Sequence, residues 1–172
     1  MDSSKIIIVD NFFDDKNVSI IRSKIKYSQY QNNHNSIDAE YEYSWQCSHL
    51  LNDYFFNNIL LKKFENRFNK KIMANRIYIN SMVYGNEGAF HIDSDLNNSY
   101  TLLYFIDGPQ NYEETDKFGG YFYYKENIEI KCIEPIHNRL ILFKSDIFHK
   151  GSHYNKFVNK IRYSIAWKTI IE

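Results

Sequence analysis

The chain has 172 residues, of which 44% are hydrophobic and 17% aromatic, and this length and composition predict a packed globular domain rather than a disordered chain. Its 21 Lys and Arg residues balance its 21 Asp and Glu residues, which excludes a bulk electrostatic attraction to nucleic acid or to an anionic membrane. No apolar run reaches the roughly 18 residues of a transmembrane helix, and the first apolar run is too short for a signal peptide, so neither segment is expected.

The first part of the chain predicts a short strand followed by two helices. Residues 6–9 form a β-branched run that fits a buried strand. Asp14 and Asp15 can cap a helix that runs to about residue 27, and residues 52–69 predict a second helix. Residues 30–44 between them are polar and irregular and predict a loop. The apolar positions at helical spacing are Val18, Ile21 and Ile25 in the first helix and Phe55, Phe56, Ile59, Leu60, Phe64 and Phe68 in the second.

From Arg76 onward the sequence predicts short strands separated by Gly- and Pro-containing turns. Many short strands after two helices predict a mostly β (α+β) fold, a double-sheet jelly roll with the N-terminal helices packed on one outer face. We expect a single domain over residues 1–172, with 1–74 as a helical support region and 75–172 as the jelly-roll core. The predicted strands are residues 77–84, 100–106, 120–124, 128–133, 140–143 and 160–170.

The strongest functional signal is the pair His91 and Asp93, followed much later in the chain by His149. On an extended strand, side chains two positions apart point to the same face, so His91 and Asp93 can reach one metal ion. His149 follows an apolar run at 140–143 and is predicted to bring a third ligand from a neighbouring strand. Two imidazoles and one carboxylate form the triad that holds Fe(II) and leaves positions open for a 2-oxo acid and dioxygen.

Two nearby residues compete for these roles. Asp95 would lie on the same strand face as His91, and His153 follows closely after His149. We favour Asp93 over Asp95 because Asp95 is further along the strand. We favour His149 over His153 because His149 lies closer to the end of the preceding strand and just before a glycine that can turn the chain away. For His91, the alternative is an ordinary histidine satisfied by hydrogen bonds, since an HxD pattern alone often arises by chance.

Arg162 is predicted to bind the remote carboxylate of the 2-oxo acid. It shares one face of a late strand with Ser164 and Ala166, and a guanidinium that points into a barrel is costly unless it is paired. A carboxylate is a suitable partner because Arg can bind it with two hydrogen bonds, to which Ser164 could add a third. The alternatives are an internal salt bridge for Arg162 and Lys160 as the cation.

Tyr84 and Tyr104 are candidates for further contacts, because both lie near the ends of strands that should flank the site. Each could donate a hydrogen bond to the cosubstrate, although with 15 tyrosines in the chain any single one is more often a core or surface residue. Trp167 is expected in the core. Arg139 is expected to make a structural contact at the start of a strand.

These residues resemble the catalytic core of the Fe(II)/2-oxoglutarate-dependent oxygenases, in particular the prolyl 4-hydroxylase-like branch. The resemblance covers residues 75–170, while residues 1–74 match only loosely, as the helices that buttress the double-stranded β-helix of this family. The matching pieces in chain order are Val83-Tyr84-Gly85, His91-Ile92-Asp93-Ser94, Thr101-Leu102-Leu103-Tyr104, Gly119-Gly120-Tyr121-Phe122, Pro135, Asn138-Arg139-Leu140-Ile141-Leu142-Phe143, His149-Lys150-Gly151 and Arg162-Tyr163-Ser164-Ile165.

The resemblance implies that His91, Asp93 and His149 bind Fe(II). It also implies that Arg162 binds the distal carboxylate of 2-oxoglutarate, a role for which collagen-type prolyl hydroxylases usually carry Lys and oxygen-sensor-like members carry Arg. Dioxygen would bind last, and 2-oxoglutarate would lose CO2 to give succinate while a substrate C–H bond is hydroxylated, with ascorbate as a candidate reductant. Halogenases of this superfamily lack the carboxylate that Asp93 supplies, so a hydroxylase is favoured.

A prolyl residue in a protein or peptide is the first expected substrate, and a free amino acid or another small metabolite is the alternative. The segment Phe105-Ile106-Asp107-Gly108 departs from the family pattern of an Asn followed by an aromatic residue, which leaves the substrate open. The polar stretch 30–46 and the acidic loop 110–118 are expected near the substrate groove, where an acidic rim would favour a basic peptide or a cationic metabolite.

Two further hypotheses belong to other classes. A non-catalytic jelly-roll module that binds a metal or ligand would not need the cation Arg162. A nucleic-acid demethylase should show a basic, aromatic face, which the neutral charge does not support. The two cysteines, Cys47 and Cys132, have no metal-finger spacing and predict free thiols in a reducing compartment, so the expected location is the cytoplasm, without a membrane partner.

Overall fold

The computed structural model describes residues 6–38 and 41–172, and for residues 33–38 and 41–42 it describes the backbone alone. The helices are α1 (Asp15–Tyr27), α2 (Leu61–Phe68) and the short α3 (Thr115–Phe118), with a π-helical segment (Phe55–Leu60) before α2 and a 3-10 turn (Tyr112–Glu114) before α3. The strands, in chain order, are β1 (Ile7–Val9), β2 (Gln31–Asp38), β3 (Tyr41–His49), β4 (Ile72–Met82), β5 (Ser99–Phe105), β6 (Phe122–Glu126), β7 (Glu129–Ile133), β8 (Arg139–Lys144), β9 (His149–Gly151) and β10 (Arg162–Ile171).

The strands form two antiparallel sheets. The larger sheet has seven strands in the order β1-β8-β5-β10-β4-β3-β2, and the smaller one has three in the order β7-β6-β9. Strand β10 lies in the middle of the larger sheet, where Ala166 pairs with Tyr78 of β4 on one side and with Leu103 of β5 on the other. The predicted mostly β jelly roll is confirmed.

Two hydrophobic clusters fill the layers on either side of the larger sheet. One lies between this sheet and the helices and includes Ile21 of α1, Phe64 of α2 and Trp167 of β10. The other lies between the two sheets and includes Phe122 of the smaller sheet and Phe143 of the larger one. The N-terminal helices therefore cover one outer face, as predicted, and the space between the sheets is left for polar side chains that β10 and its neighbours point inward.

Helix α1 begins where the sequence predicts. The Asp14 carboxylate accepts a hydrogen bond from the backbone N–H of Asn17 (2.9 Å), which satisfies one of the free donors at the helix start. Lys24 and Lys26 in the last turn suit the negative end of the helix dipole. The second predicted helix is present over Phe55–Phe68, but its first half is π-helical, and Asn69 ends it in the left-handed region (φ 49°).

The expected loop over residues 30–44 is wrong for the residues that are described there. Tyr30 precedes β2, and residues 39–40 lie outside the described residues. Residues 31–38 and 41–44 belong to β2 and β3, which pair as a hairpin. β2 is an edge strand of the larger sheet, so its main chain pairs on one side without requiring the apolar face that sequence reasoning looks for.

The boundary expected at residue 74 falls inside β4, and β1 to β3 of the first part also belong to the larger sheet. None of the described helices is long and apolar enough to cross a membrane.

Candidate functional site

His91 and His149 are brought together by their own backbones. The N–H of each residue donates to the carbonyl oxygen of the other, at 2.9 Å in both directions, and forms an isolated antiparallel bridge. His149 begins β9, whereas His91 and Asp93 lie in the connection between β4 and β5. The expectation that His91 and Asp93 stand on a regular strand is therefore wrong. Hydrogen bonds from the N–H groups of Asp93 and Ser94 to the Ser145 carbonyl (2.8 and 3.2 Å) hold the segment in place instead.

The side chains of His91, Asp93 and His149 converge on one point. Their candidate ligand atoms all lie within 4.8 Å of one another, and the Nε2 atoms of His91 and His149 are 3.5 and 3.6 Å from the two Asp93 carboxylate oxygens. The Nδ1 of His91 hydrogen-bonds the Ala89 carbonyl (2.9 Å), and the Nδ1 of His149 hydrogen-bonds the Ile147 carbonyl (2.8 Å). A carbonyl only accepts, so each Nδ1 carries the proton and each Nε2 presents a lone pair toward Asp93.

The environment of His149 keeps its ring neutral. Phe122 stacks against the ring at a centroid distance of 5.2 Å, and Phe143 meets it edge-on at 4.8 Å. This burial lowers the pKa of His149 to about 4, although Asp93 opposes the effect. A neutral imidazole is the form that binds a metal ion, so His149 is ready to act as a ligand at neutral pH.

Asp93 is ionised although its side chain is only 3% exposed. Burial by itself would raise its pKa, but the positive charge of Lys168 and its hydrogen bond to the carboxylate hold the pKa well below its usual range. The Asp93 Oδ2 accepts hydrogen bonds from Thr101 Oγ1 (2.6 Å) and from Lys168 Nζ. These partners fix the orientation of the carboxylate toward the two histidines.

His91 and His149 line a central cavity between the two sheets, and Arg162 and Ser164 line the same cavity. The Arg162 side chain is 1% exposed, and its guanidinium donates to the Gly120 carbonyl (2.8 Å) and to Ser164 Oγ (3.2 Å). Within the described part of the chain no carboxylate lies within 4.0 Å of it. Burial lowers its pKa to about 10, so it still carries a positive charge at neutral pH.

A glycine makes the contact between Arg162 and Gly120 possible. Gly120 has a φ of +76°, and a Cβ there would lie 2.5 Å from the ring of Tyr154. Any side chain would therefore displace either the ring or the carbonyl that accepts from Arg162. The Gly119-Gly120 pair, which the sequence marks only as a turn, thus helps to position the buried cation.

The structure brings five of the predicted site residues together and leaves two apart. His91, His149, Arg162 and Ser164 line the central cavity, and Asp93 lies against the two histidines. Tyr84 is 63% exposed, and its ring meets the His153 ring edge-on outside the cavity. Tyr104 points to the other face of β5, where its hydroxyl donates to Asn138 Oδ1 (2.9 Å) in the core under the helices. Neither tyrosine contacts this cavity, so the cosubstrate contacts expected of Tyr84 and Tyr104 find no support in its geometry.

The alternatives raised by the sequence lie elsewhere. Asp95 is exposed, and His153 hydrogen-bonds the Tyr154 carbonyl (2.7 Å), so neither belongs to the cluster. Lys160 precedes β10 and is exposed, which makes its expected place on the Arg162 face of the strand wrong. No residue of the acidic loop 110–118 lines the central cavity, and its Tyr112 hydroxyl instead accepts a hydrogen bond from Arg139. Of the described side chains in the polar stretch 30–46, only Trp45 lines the cavity.

Sequence reasoning missed Lys168 and Thr101. The alternation that places Arg162, Ser164 and Ala166 on one face of β10 continues to Lys168, so extending the pattern by one step would have found it. Thr101 faces the same cavity from β5, and Leu103 and Phe143 add apolar wall. Tyr104 directly follows Leu103 and therefore lies on the opposite face of β5, the face that meets the helices. The tertiary structure decides which of the two faces meets the helices.

The donor set fits an Fe(II) ion. Two neutral imidazole nitrogens and one oriented carboxylate are the ligands of the triad that binds non-haem Fe(II) with open positions. The buried guanidinium in the same cavity suits a carboxylate of a chelating cosubstrate. The arrangement can therefore hold a metal and an anionic ligand side by side between the two sheets.

No model of a known protein family matches this sequence, and no curated protein matches it. Several solved structures share its fold. A 2OG-Fe(II) oxygenase family oxidoreductase from Burkholderia pseudomallei has a TM-score of 0.71 at 12% identity, covering 96% of this chain and 84% of that one. A prolyl hydroxylase from Trichoplax adhaerens, in complex with a peptide of hypoxia inducible factor, has a TM-score of 0.70 at 16% identity, covering 98% and 84%. HygX from Streptomyces hygroscopicus, with nickel and 2-oxoglutarate bound, has a TM-score of 0.69 at 10% identity, covering 98% and 84%. The chain therefore has the fold of the 2-oxoglutarate- and Fe(II)-dependent oxygenases.

Proposed function

We propose that this protein is an Fe(II)- and 2-oxoglutarate-dependent dioxygenase that hydroxylates a C–H bond of its substrate. The observation that carries the proposal is that the cluster of His91, Asp93 and His149 meets the same cavity as Arg162, a buried cation with no carboxylate partner among the described residues. A non-catalytic jelly-roll module could use the triad, but it would have no need of that buried cation.

The five predicted site residues that the structure brings together each have a role in this proposal. The Nε2 atoms of His91 and His149 and the carboxylate of Asp93 hold Fe(II), which, when bound, supplies the activation of dioxygen needed to oxidise a C–H bond. Arg162 binds the distal carboxylate of 2-oxoglutarate, and Ser164, which already accepts from Arg162, lies beside it. The apolar walls around His149 keep bulk water away from the metal site, which strengthens the electrostatic contacts inside it.

For the substrate, we propose a prolyl residue in a protein or peptide, with a free amino acid or another small metabolite as the alternative. The peptide complex of the Trichoplax adhaerens prolyl hydroxylase supports the first, and HygX with hygromycin B bound supports the second. A cytoplasmic location suits the use of Fe(II), because a reducing compartment keeps both the metal and the free thiols of Cys47 and Cys132 reduced.

The experiment that tests the function is an anaerobic titration of the metal-free protein with Fe(II) and then 2-oxoglutarate, followed by visible absorption. We expect a metal-to-ligand charge-transfer band in the wild type and no band in His149→Ala. In Arg162→Ala the band should need roughly a hundredfold more 2-oxoglutarate, the effect of losing hydrogen bonds to a charged group.

His153→Ala is the matched control, because His153 is the other histidine of the same segment and lies outside the cluster. It should behave like the wild type. Bound metal with no band in the wild type would reject the oxygenase and leave the binding module as the better explanation. If the band appears, oxygen-dependent mass gain in peptide and metabolite libraries then separates the two substrate classes.

A further inference from the structure

Lys168 is a cation inside the central cavity, at the end opposite Arg162. Its side chain is only 13% exposed, and its ammonium contacts the Asp93 carboxylate and lies 3.5 Å from Thr101 Oγ1. Asp93 is its one carboxylate partner within 4.0 Å among the residues that the structure describes. Arg162 and Lys168 lie on the same face of β10. The rise of the strand separates their Cα atoms by roughly 20 Å.

A second cation stands beside Lys168. Arg76 of β4 is its direct partner in the pairing of β10 with β4, and the two side chains lie over the same ring, that of Tyr78. The Lys168 Nζ is 5.7 Å from the ring centroid, and the Arg76 guanidinium carbon is 5.2 Å from it. Arg76 makes no ion pair with any carboxylate in the described part of the chain. Like charges placed directly opposite each other in a sheet repel. In the unliganded fold this repulsion is weak, because Arg76 is exposed at the edge of the cavity and Asp93 neutralises Lys168.

Metal binding increases the repulsion between Lys168 and Arg76. When Asp93 ligates a dication, its single negative charge is shared between the metal and Lys168, and the metal repels the ammonium. Lys168 and Arg76 then form a region of excess positive charge next to the metal. The distal carboxylate of 2-oxoglutarate does not neutralise it in the proposed arrangement, because that carboxylate is bound by Arg162 at the far end of the cavity.

We propose that Lys168, together with Arg76, binds an anionic group of the primary substrate, a carboxylate or a phosphate, and so selects anionic substrates. The inference rests on the proposed function and names the substrate class of that same site. It replaces the sequence-based expectation of a cationic substrate, because the acidic loop from which that expectation came does not line the cavity. An ammonium is a compact charge with three donors and serves either anion.

The test uses full-length protein loaded with Mn(II) and saturated with 2-oxoglutarate, and measures the paramagnetic broadening of probe proton signals by NMR. One matched pair of probes is N-acetylproline and N-acetylprolinamide, and the other is N-acetyl-O-phosphoserine amide and N-acetylserine amide. The two pairs separate carboxylate from phosphate recognition. The variants are Lys168→Met, Lys168→Arg and Arg76→Met, with Lys160→Met as the control for an exposed lysine outside the cavity.

We expect at least one anionic probe to bind the wild type about tenfold or more tightly than its neutral partner, the effect of a charge-assisted hydrogen bond. Lys168→Met should lose that preference, Arg76→Met should weaken it, and Lys168→Arg and Lys160→Met should keep it. Affinity for 2-oxoglutarate should be retained in all four variants. Saturating Mn(II) should load all of them, although Lys168→Met should bind the metal more weakly because Lys168 also orients Asp93.

Three results would overturn the proposal. One is a wild type that binds Mn(II) and 2-oxoglutarate but does not prefer either anionic probe, which leaves the oxygenase function intact. Another is a Lys168→Met protein that, once loaded with saturating Mn(II), keeps the wild-type preference for the anionic probe, which would make Lys168 only a positioning residue for Asp93. The third is a wild type that binds neither metal nor 2-oxoglutarate, and this result rejects the proposed function as well.

Discussion

Among the residues that the structure describes, two arginine side chains are fully buried, and only one of them has a counter-charge. Arg139 is 1% exposed and forms a two-pronged ion pair with Asp10, with Nε–Oδ1 and Nη2–Oδ2 distances of 2.6 and 2.9 Å, and a further contact to Glu134. Arg162 is equally buried but has only neutral acceptors. A buried charge without a counter-charge costs stability, which supports the proposed ligand-binding role of Arg162, whereas Arg139 is part of the fold.

This difference predicts opposite effects on the stability of the metal-free protein. Arg139→Met should lower the free energy of unfolding by about 1–3 kcal/mol, a value reduced from that of a fully buried pair because Asp10 is 42% exposed. Arg162→Met should leave it unchanged or raise it, because the substitution removes an uncompensated buried charge. Urea unfolding of the two variants measures both values. Equal losses in the two proteins would show that Arg162 has a structural role instead.

Tyr104 offers a second test at this scale. Its hydroxyl donates to Asn138 in the core, and Asn138 also contacts the backbone of Phe13, so the bond ties β5 to the segment before α1. Tyr104→Phe should therefore lower the free energy of unfolding by about 1 kcal/mol, the value of one buried hydrogen bond. The 2-oxoglutarate concentration needed for the charge-transfer band should not change. A large increase in that concentration would restore the sequence-based role for this tyrosine.

At the scale of elements, β10 performs two tasks with alternate residues. Ile165 and Trp167 face the helices, and Arg162, Ser164 and Lys168 face the cavity. A shift of one residue in the pairing of this strand would exchange the two sets and bury the charges under the helices. Pairing on both sides, with β4 and β5, fixes the register that places both cations in the cavity.

The cap of α1 gives a prediction of pH dependence. The backbone hydrogen bond from Asn17, followed by the bond from Lys63, lowers the pKa of Asp14 from its ordinary value of 3.8 to about 2. A group whose pKa is lower in the folded state stabilises the fold above its unfolded pKa. That stabilisation is lost as the pH falls from about 4 to about 2.

We therefore expect Asp14→Asn to be less stable than the wild type at pH 6 and the difference to shrink toward pH 2. Urea unfolding across this range measures it. Asp15→Asn is the matched control, because no capping bond is assigned to Asp15 and its effect should be smaller at every pH. A difference between Asp14→Asn and the wild type that stays constant from pH 6 to pH 2 would contradict the cap.

At the scale of the whole molecule, the candidate metal site joins parts of the chain that belong to different sheets. His149 belongs to the three-stranded sheet, whereas Asp93 lies in the β4–β5 connection and contacts Thr101 and Lys168 of the seven-stranded sheet. A metal that binds the folded state alone would hold these parts together, and its binding energy would add to the stability of the fold.

We expect Mn(II), used in place of the oxidisable Fe(II), to raise the free energy of unfolding by about 2.7 kcal/mol at a concentration near 100 times its dissociation constant. EDTA should reverse the effect. Calorimetry with and without metal measures the shift. Asp93→Ala should abolish it, whereas Asp95→Ala, which changes an exposed carboxylate two residues away, should keep it. A shift that survives Asp93→Ala would place the metal elsewhere.

The sequence by itself determined the fold class, the residues of the triad and the identity of the buried cation Arg162. Strand alternation and helical spacing are local properties, so β10 and α1 could be predicted from neighbouring residues. The triad could be predicted because its residue types and their order already restrict the chemistry. The edge strand β2 escaped prediction because main-chain pairing needs no particular side-chain pattern, and a polar stretch therefore looks the same as a loop.

The tertiary structure alone decided which face of each strand meets the helices and which charges become neighbours. Tyr104 turned to the helix side of β5, and the hydroxyl that the sequence offers to a cosubstrate is used in the core. Lys168 reached Asp93, 75 residues away, only through the packing of β10 against the β4–β5 connection. Such contacts depend on register and layer order, which are set by the whole core and not by any local stretch of sequence.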